Sequence, residues 1–231
     1  MATFKKLREI LEGGRESKNP FWKSFYGAKD VAYKIALALK LRKSSNAFLQ
    51  IIATKGLKAP RVFIETGTYH GKTTFGALRD FSTIHTIELS EEWYQKAVKQ
   101  FGGYKYVHCH HGDSATVLKE LLPSIDEPVL FYLDAHHSGG TTAMGQDQNP
   151  LLRELPLIGQ RKYQDIIFID DLAQIGKSGT MGTEGHPFYP PTQFDWRDIN
   201  KESIEKALGR KILDSEEKDN KLIIWKLGDK L

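Results

Sequence analysis

The 231-residue chain carries a single cysteine, Cys109, so no intrachain disulfide can form. The fold must then rest on its core, and a cytoplasmic setting is the expectation. Long hydrophobic runs are missing too. No apolar stretch approaches the roughly 18 residues that cross a bilayer, so no membrane span is expected. The opening "MATFKKLREILEGGRESKNP" lacks the apolar stretch of about 7–15 residues found in secretory signals. There is no internal repeat and no low-complexity tract, which excludes solenoids and arrays. A large excess of one sign of charge is also missing, since 33 Lys and Arg against 29 Asp and Glu leave a net charge of only +4. No basic stripe interleaved with aromatics is present, so nucleic acid is not an expected partner.

What is present is ordinary globular composition, 40% hydrophobic and 27% charged, enough for one substantial core. The pattern divides into a helical extension, 1–58, and a larger domain, 59–231. In the extension, residues 4–12 read as a short helix broken by Gly13-Gly14. "KDVAYKIALALKLRK" follows, with Val31, Ile35, Leu37, Ala38, Leu39 and Leu41 on one side of a helix. Such a face packs on the domain, acts as a lid, or meets a second copy in a homo-oligomer.

From Arg61 onward short apolar segments alternate with helical ones. Strands are expected at 61–66, 83–89, 105–110, 129–134 and 164–170, each rich in β-branched or aromatic residues. Helices are expected at 72–81, 90–101, 114–124 and 149–160, with Ser90 and Asp113 as start signals. This alternation predicts a parallel sheet with helices on both faces. Ligands bind such sheets beyond the carboxyl ends of the strands. Residues 173–195 read as a long loop rich in Gly, Pro and Thr, carrying His186, Phe188 and Tyr189, with Trp196 just beyond it. A helix at 198–208 precedes "RKILDSEEKDNKLIIWKL", which reads as an antiparallel hairpin turning at Lys218-Asp219-Asn220.

The first strand leads into "ETGTYHGKTT", residues 65–74, which ends like a nucleotide phosphate loop. A phosphate loop needs four residues between its glycines, whereas Gly67 and Gly71 enclose three. "IIFIDD" at 166–171 could still serve as the strand that holds magnesium in a phosphotransferase. Dinucleotide binding fits less well, because Thr-Tyr-His between the glycines breaks G-x-G-x-x-G.

The same loop also suits S-adenosylmethionine (SAM). Glu65 ends the strand, and Gly67 and Gly71 permit close backbone approach before a helix N-terminus. Glu88, 21 residues after Gly67, ends the next strand where an acid takes ribose hydroxyls. Asp113 ends the third, placed for an adenine amino group. Each acid could instead cap a helix. The cofactor pocket expected from this reading comprises Glu65, Gly67, Thr68, Tyr69, Gly71, Glu88, Asp113, Ser114 and Asp134.

On these motifs, residues about 60–227 resemble the class I SAM-dependent methyltransferases. That resemblance implies a Rossmann-like, seven-stranded, mostly parallel sheet ending in an antiparallel hairpin. Tyr69 stands where a further glycine is common in the family.

Asp134 ends the fourth strand, and Asp170 and Asp171 end the fifth. Neighbouring carboxylates repel one another without a cation, and oxygen ligands suit Mg²⁺ or a related hard ion. A loop cap and a lysine partner are the plainer alternative. The pattern resembles metal-dependent O-methyltransferases of the catechol and the macrolide and aminocoumarin sugar types. It implies Asp134, Asp170 and Asp171 as metal ligands and a small-molecule or glycan acceptor. In the sugar type an acid stands at the position of His136, and in the catechol type a lysine stands at that of His137. Either histidine could serve as base, with His136 preferred. A non-catalytic relative that binds a partner is the remaining alternative.

Overall fold

The computed structural model describes residues 47–184 and 190–230. The chain divides into two compact units, Met1–Ile51 and Ile52–Leu231. The helices expected at 4–12 and within 30–43 lie outside the described residues, as do His186, Phe188 and Tyr189.

After helix α1 (Ala47–Thr54) the elements alternate. They are β1 (Val62–Thr66), α2 (Lys72–Ala77), β2 (Thr83–Glu88), α3 (Glu91–Phe101), β3 (Val107–His111), α4 (Ser114–Leu121) and β4 (Val129–Leu133). Then come α5 (Leu151–Gly159), β5 (Ile166–Ile169), β6 (Ser178–Met181), β7 (Thr192–Asp195), α6 (Lys201–Leu208), β8 (Arg210–Lys218) and β9 (Lys221–Lys230). Seven strands form one sheet in the order β3-β2-β1-β4-β5-β9-β8. The first five run parallel, while β9 is antiparallel to both β5 and β8. This is the expected Rossmann-like α/β fold with its terminal hairpin.

The central strands are mostly apolar because both faces are covered. β1, β4 and β5 are buried at every residue. Alternation sends Val62 and Ile64 to one face, where they join Leu118, Leu155, Ile158, Ile204 and Leu208 from α4, α5 and α6. Phe63 points to the other face and packs on Phe81, ring centroids 5.0 Å apart.

Helix starts follow side-chain chemistry. Ser90 accepts from the Trp93 N–H, Asp113 from Thr116, and Asn200 forms a reciprocal cap with Ser203. Helix α2 is shorter than expected and stops at Ala77, with Gly76 beside its end. The segment expected as loop over 173–195 contains a two-stranded hairpin, β6 and β7. Its strands have four residues each, too short for an alternation signal to emerge.

Below the sheet, at the amino ends of its strands, Arg161 and Asp165 form a buried ion pair at 2.8 Å. Arg161 also donates to the carbonyls of Ile125 and Glu127, and Asp165 accepts from Val129 N–H. Each charge is paired and hydrogen-bonded, which makes its burial tolerable. The opposite end of the sheet is left for chemistry.

Candidate active site

The loop from β1 to α2 is built around positive φ angles: Gly67 at 88°, Tyr69 at 44° and Gly71 at 69°. A Cβ at Gly67 would collide with the Asp134 carbonyl, so only glycine lets the loop lie against the end of β4. Gly67 N–H donates to the Ile87 carbonyl at 2.9 Å, tying the loop to β2. Tyr69 N–H donates to Glu88 Oε2 at 2.7 Å, and Ser90 N–H donates to Oε1 at 2.8 Å. Glu88 thus anchors the loop while its carboxylate still lines the cavity beside it.

Glu65 is placed differently. It is 1% exposed and lies beneath the loop, accepting from the hydroxyls of Thr74 and Thr86. Burial pushes its pKa up to about 8, against the opposing pull of those hydroxyls. Thr68 is buried too, its hydroxyl 2.5 Å from that of Thr86. Glu65, Thr68, Gly71 and His137 do not line the cavity. They support it from behind. His137 holds a loop, with N–H to the Gln148 carbonyl at 2.7 Å and Nδ1 3.1 Å from the Thr142 hydroxyl.

The cavity has a volume of about 240 Å³ and lies over the carboxyl ends of the parallel strands. Gly67, Tyr69, Glu88, Asp113 and Ser114 line it, as do Asp134, His136, Asp170 and Asp171. The structure therefore joins the two groups of acids that the sequence suggested separately. Residues 138–147 contribute a covering wall through Ser138, Thr142, Ala143, Gly145 and Asp147. Trp93 Nε1 donates to the Thr141 carbonyl at 3.1 Å and fastens that wall to α3. Tyr69 packs against Trp93 with the rings tilted by 60° and centroids 4.6 Å apart, and its hydroxyl is 3.3 Å from that of Thr141.

Asp113 does two jobs. It caps α4 and receives both Arg153 guanidinium nitrogens, at 2.9 and 2.8 Å. The Arg153 hydrogen bonds hold its pKa near 2. Arg153 also reaches Asp147 at 2.6 Å, so one guanidinium bridges the cavity edge and the wall.

At the other end, His136 stands between two carboxylates. Its Nδ1 is 3.2 Å from Asp134 and its Nε2 is 3.0 Å from Asp171. Burial alone would lower its pKa, but the two acids outweigh it and raise the ring to about 10. In this geometry both ring nitrogens of His136 face carboxylate oxygens, so a protonated ring can donate to both acids. Burial raises Asp134, assisted by the charges of Asp170 and Asp171, whereas the His136 hydrogen bond lowers Asp171. Asp171 sits at φ 56°, a left-handed conformation uncommon outside glycine. The side chain of Asn220 steadies it at 3.0 Å.

Asp134, His136 and Asp171 offer donor atoms within 4.8 Å of one another, a grouping that can hold a metal ion. Asp170, to which the sequence also pointed, is not one of that trio. Asp170 lines the same wall, but it accepts from the Tyr132 hydroxyl and from Asp171 N–H, with Lys221 Nζ at 3.3 Å. Carboxylate and imidazole donors at this spacing fit a hard or borderline divalent cation.

Sequence reasoning missed Arg153, Tyr132, Lys221 and Glu154. Tyr132 read as strand core, and its hydroxyl reaches Asp170 only because β4 and β5 are adjacent. Lys221 is 51 positions from Asp170 and left no local signal.

No family model matches the chain, and no curated protein matches it. Solved structures similar to it include a SAM-dependent methyltransferase from Clostridium acetobutylicum, at 15% identity, 88% coverage of this chain, 99% of that chain and TM-score 0.47. The methyltransferase PaMTH1 of Podospora anserina, with S-adenosylhomocysteine (SAH) bound, shows 20% identity over 72% of both chains and TM-score 0.46. The SAH-bound N-terminal domain of EvdMO1 shows 14% identity over 84% of this chain and 81% of its own, at TM-score 0.46. At such identities and TM-scores these likenesses do not bear on function. Among the described residues no helix is long and apolar enough to cross a membrane.

Proposed function

We propose that the protein is a SAM-dependent O-methyltransferase, assisted by a divalent cation and acting on a hydroxylated small molecule of the saccharide or glycoconjugate class. The observation that carries this reading is one cavity with two chemically distinct ends. At one end Gly67, Glu88 and Asp113 offer a close backbone approach and two carboxylates. At the other stand Asp134, His136, Asp170 and Asp171.

Glu88 takes the ribose hydroxyls, which its remaining lone pairs can accept while its anchoring bonds stay in place. The Gly67 turn admits the methionine end of the cofactor. Glu65 keeps the loop in shape from below, and its neutral carboxyl suits that supporting role. Asp113, already held by Arg153, shapes the adenine side.

Asp134, Asp170 and Asp171 are the residues that would hold a cation, with His136 beside them. The cation would supply Lewis acidity that lowers the pKa of the attacking hydroxyl. A cation held there would also weaken the hold of Asp134 and Asp171 on the His136 proton, leaving the imidazole free to accept the proton of the attacking hydroxyl. In the transfer itself the O–CH₃ bond forms as the S–CH₃ bond breaks. The products are the methyl ether, SAH and a proton. Alignment of hydroxyl and methyl supplies much of the rate.

Calorimetric titration with SAH and with ATP, combined with transfer of labelled methyl from SAM to polyhydroxylated acceptors, tests the reading. Binding of SAH together with transfer that stops on addition of EDTA is the expected result. ATP binding without SAH binding would point to phosphoryl chemistry. SAH binding with EDTA-resistant transfer would remove the cation from the mechanism, and transfer to amines alone would remove the oxygen acceptor.

A further inference from the structure

Away from the cavity, at the β3 edge of the sheet, three histidines share one face of two adjacent strands. His85 on β2 is the register partner of His108 on β3, and His110 lies two residues further along β3. Side chains alternate along a strand, so His108 and His110 project to the same face, and Cys109 projects to the other. His85 Nδ1 and His110 Nε2 are 3.0 Å apart. The His108 ring stacks against His85 with centroids 4.9 Å apart and planes at 24°. The His110 ring lies 5.2 Å from that of His85, with planes at 29°.

We propose that His85, His108 and His110 form a binding site for one borderline divalent transition-metal ion of the Zn²⁺ class, separate from the oxygen-rich centre in the cavity. Two considerations support it. First, two imidazole nitrogens bound to one tetrahedral zinc, each at about 2.0–2.1 Å, stand a little over 3 Å apart, which the His85–His110 pair, 3.0 Å apart, already approaches. Second, a third imidazole stands beside the pair. His108 is exposed and stacks on His85, and rotation about its side-chain torsions is what would bring a ring nitrogen to the ion.

A pair of neutral histidines can also share a single hydrogen bond and bind nothing. The third histidine distinguishes the two readings. His-x-His on one strand with a histidine in register on the next provides three nitrogen donors, and a water can complete a four-coordinate shell. All-nitrogen donors select Zn²⁺, Co²⁺, Ni²⁺ or Cu²⁺ over Mg²⁺ or Ca²⁺, opposite to the preference of the acids around Asp134. Bound metal would cross-link β2 to the edge strand β3, whose outer side has no neighbour in this sheet.

The test uses the full chain and Co²⁺ as a spectroscopic probe, with Zn²⁺ as competitor. The Asp134→Asn, Asp171→Asn double variant silences the cavity centre and serves as the background. In that background one equivalent of Co²⁺ should give the visible absorption of a four-coordinate ion, and Zn²⁺ should displace it. His108→Gln and His110→Gln should each weaken binding by about 10-fold or more, as expected for loss of a metal ligand or its close support. Neither should alter SAH binding. His108→Gln, at an exposed position, keeps the test open if substitution at His85 disturbs folding. No Co²⁺ signal in that background, or a signal indifferent to both histidine substitutions, would overturn the proposal. Mg²⁺ dependence of methyl transfer is read separately on the unsubstituted chain, so failure of this site and failure of the proposed activity give different results.

Discussion

Replacing Glu154 with glutamine should stabilise the protein, and more so at high pH. Glu154 lies on α5, is 1% exposed, and its Oε1 has no hydrogen-bond partner. The hydroxyls of Thr66 and Ser114 lie buried beside it. Burial lifts its pKa from 4.5 to about 7, with the nearby hydroxyls of Ser114 and Thr66 pulling the other way. The folded state therefore favours the protonated acid. The contribution of this group to stability is greatest below about pH 4.5, falls as pH rises through about 7, and is flat above that. The full loss is about 3 kcal/mol, at about 1.4 kcal/mol for each pKa unit. Glutamine keeps the shape and an acceptor but never ionises. For a unit of this size, Glu154→Gln should raise Tm by about 6–12 °C near pH 8.5, at about 2–4 °C per kcal/mol. Near pH 5 the gain should fall below about 1 kcal/mol, because the native acid is then protonated. Differential scanning calorimetry of both proteins at the two pH values measures this. An equal gain at both values, or a lower Tm for the variant near pH 8.5, would refute the reasoning. A cost of this kind is tolerated where a side chain serves a site, and Glu154 borders a small internal space shared with Asp134, His136 and Asp170.

Three further outcomes are expected. Gly67→Ala should weaken SAH binding by about 100-fold or more in calorimetry while far-UV circular dichroism persists, because the φ of 88° and the Asp134 carbonyl leave no room for a Cβ. Glu88→Ala should cost about 1–3 kcal/mol of SAH affinity by the same measurement; wild-type affinity would remove the ribose role. Asp171→Asn should abolish the EDTA-sensitive part of methyl transfer and weaken Mg²⁺ or Mn²⁺ binding by about 10-fold or more, with SAH affinity almost unchanged; intact cation dependence would shift the site to Asp170.

Much of this was legible in the chain because it is local. "VFI", "VLF" and "IIFI" are short continuous apolar runs inside strands that are buried at every residue, the pattern that coverage of both faces requires, so the parallel sheet could be read directly. Ser90 and Asp113 announced their helices through short side chains that bond backbone two or three residues on. The strand-end acids Glu88, Asp113, Asp134, Asp170 and Asp171 were found because a parallel sheet places every such end on one rim.

The tertiary structure decided which of those groups face the cavity and what state each holds. Glu65 and Glu88 look equivalent as strand-end acids. The pleat and the Thr74 and Thr86 hydroxyls put Glu65 under the loop, while Glu88 stays on the cavity wall. Nothing near His136 in the sequence marked the partners of its ring; only the folded rim brings Asp134 and Asp171 to its two nitrogens, which raises its pKa. Lys221, Arg153 and Tyr132 entered the site through neighbouring strands and helices, with no spacing to mark them. Sequence records what each residue prefers within a turn or a strand. Charge state and ligand geometry depend on distances of about 3 Å between segments tens of residues apart, and those exist only once the sheet has assembled.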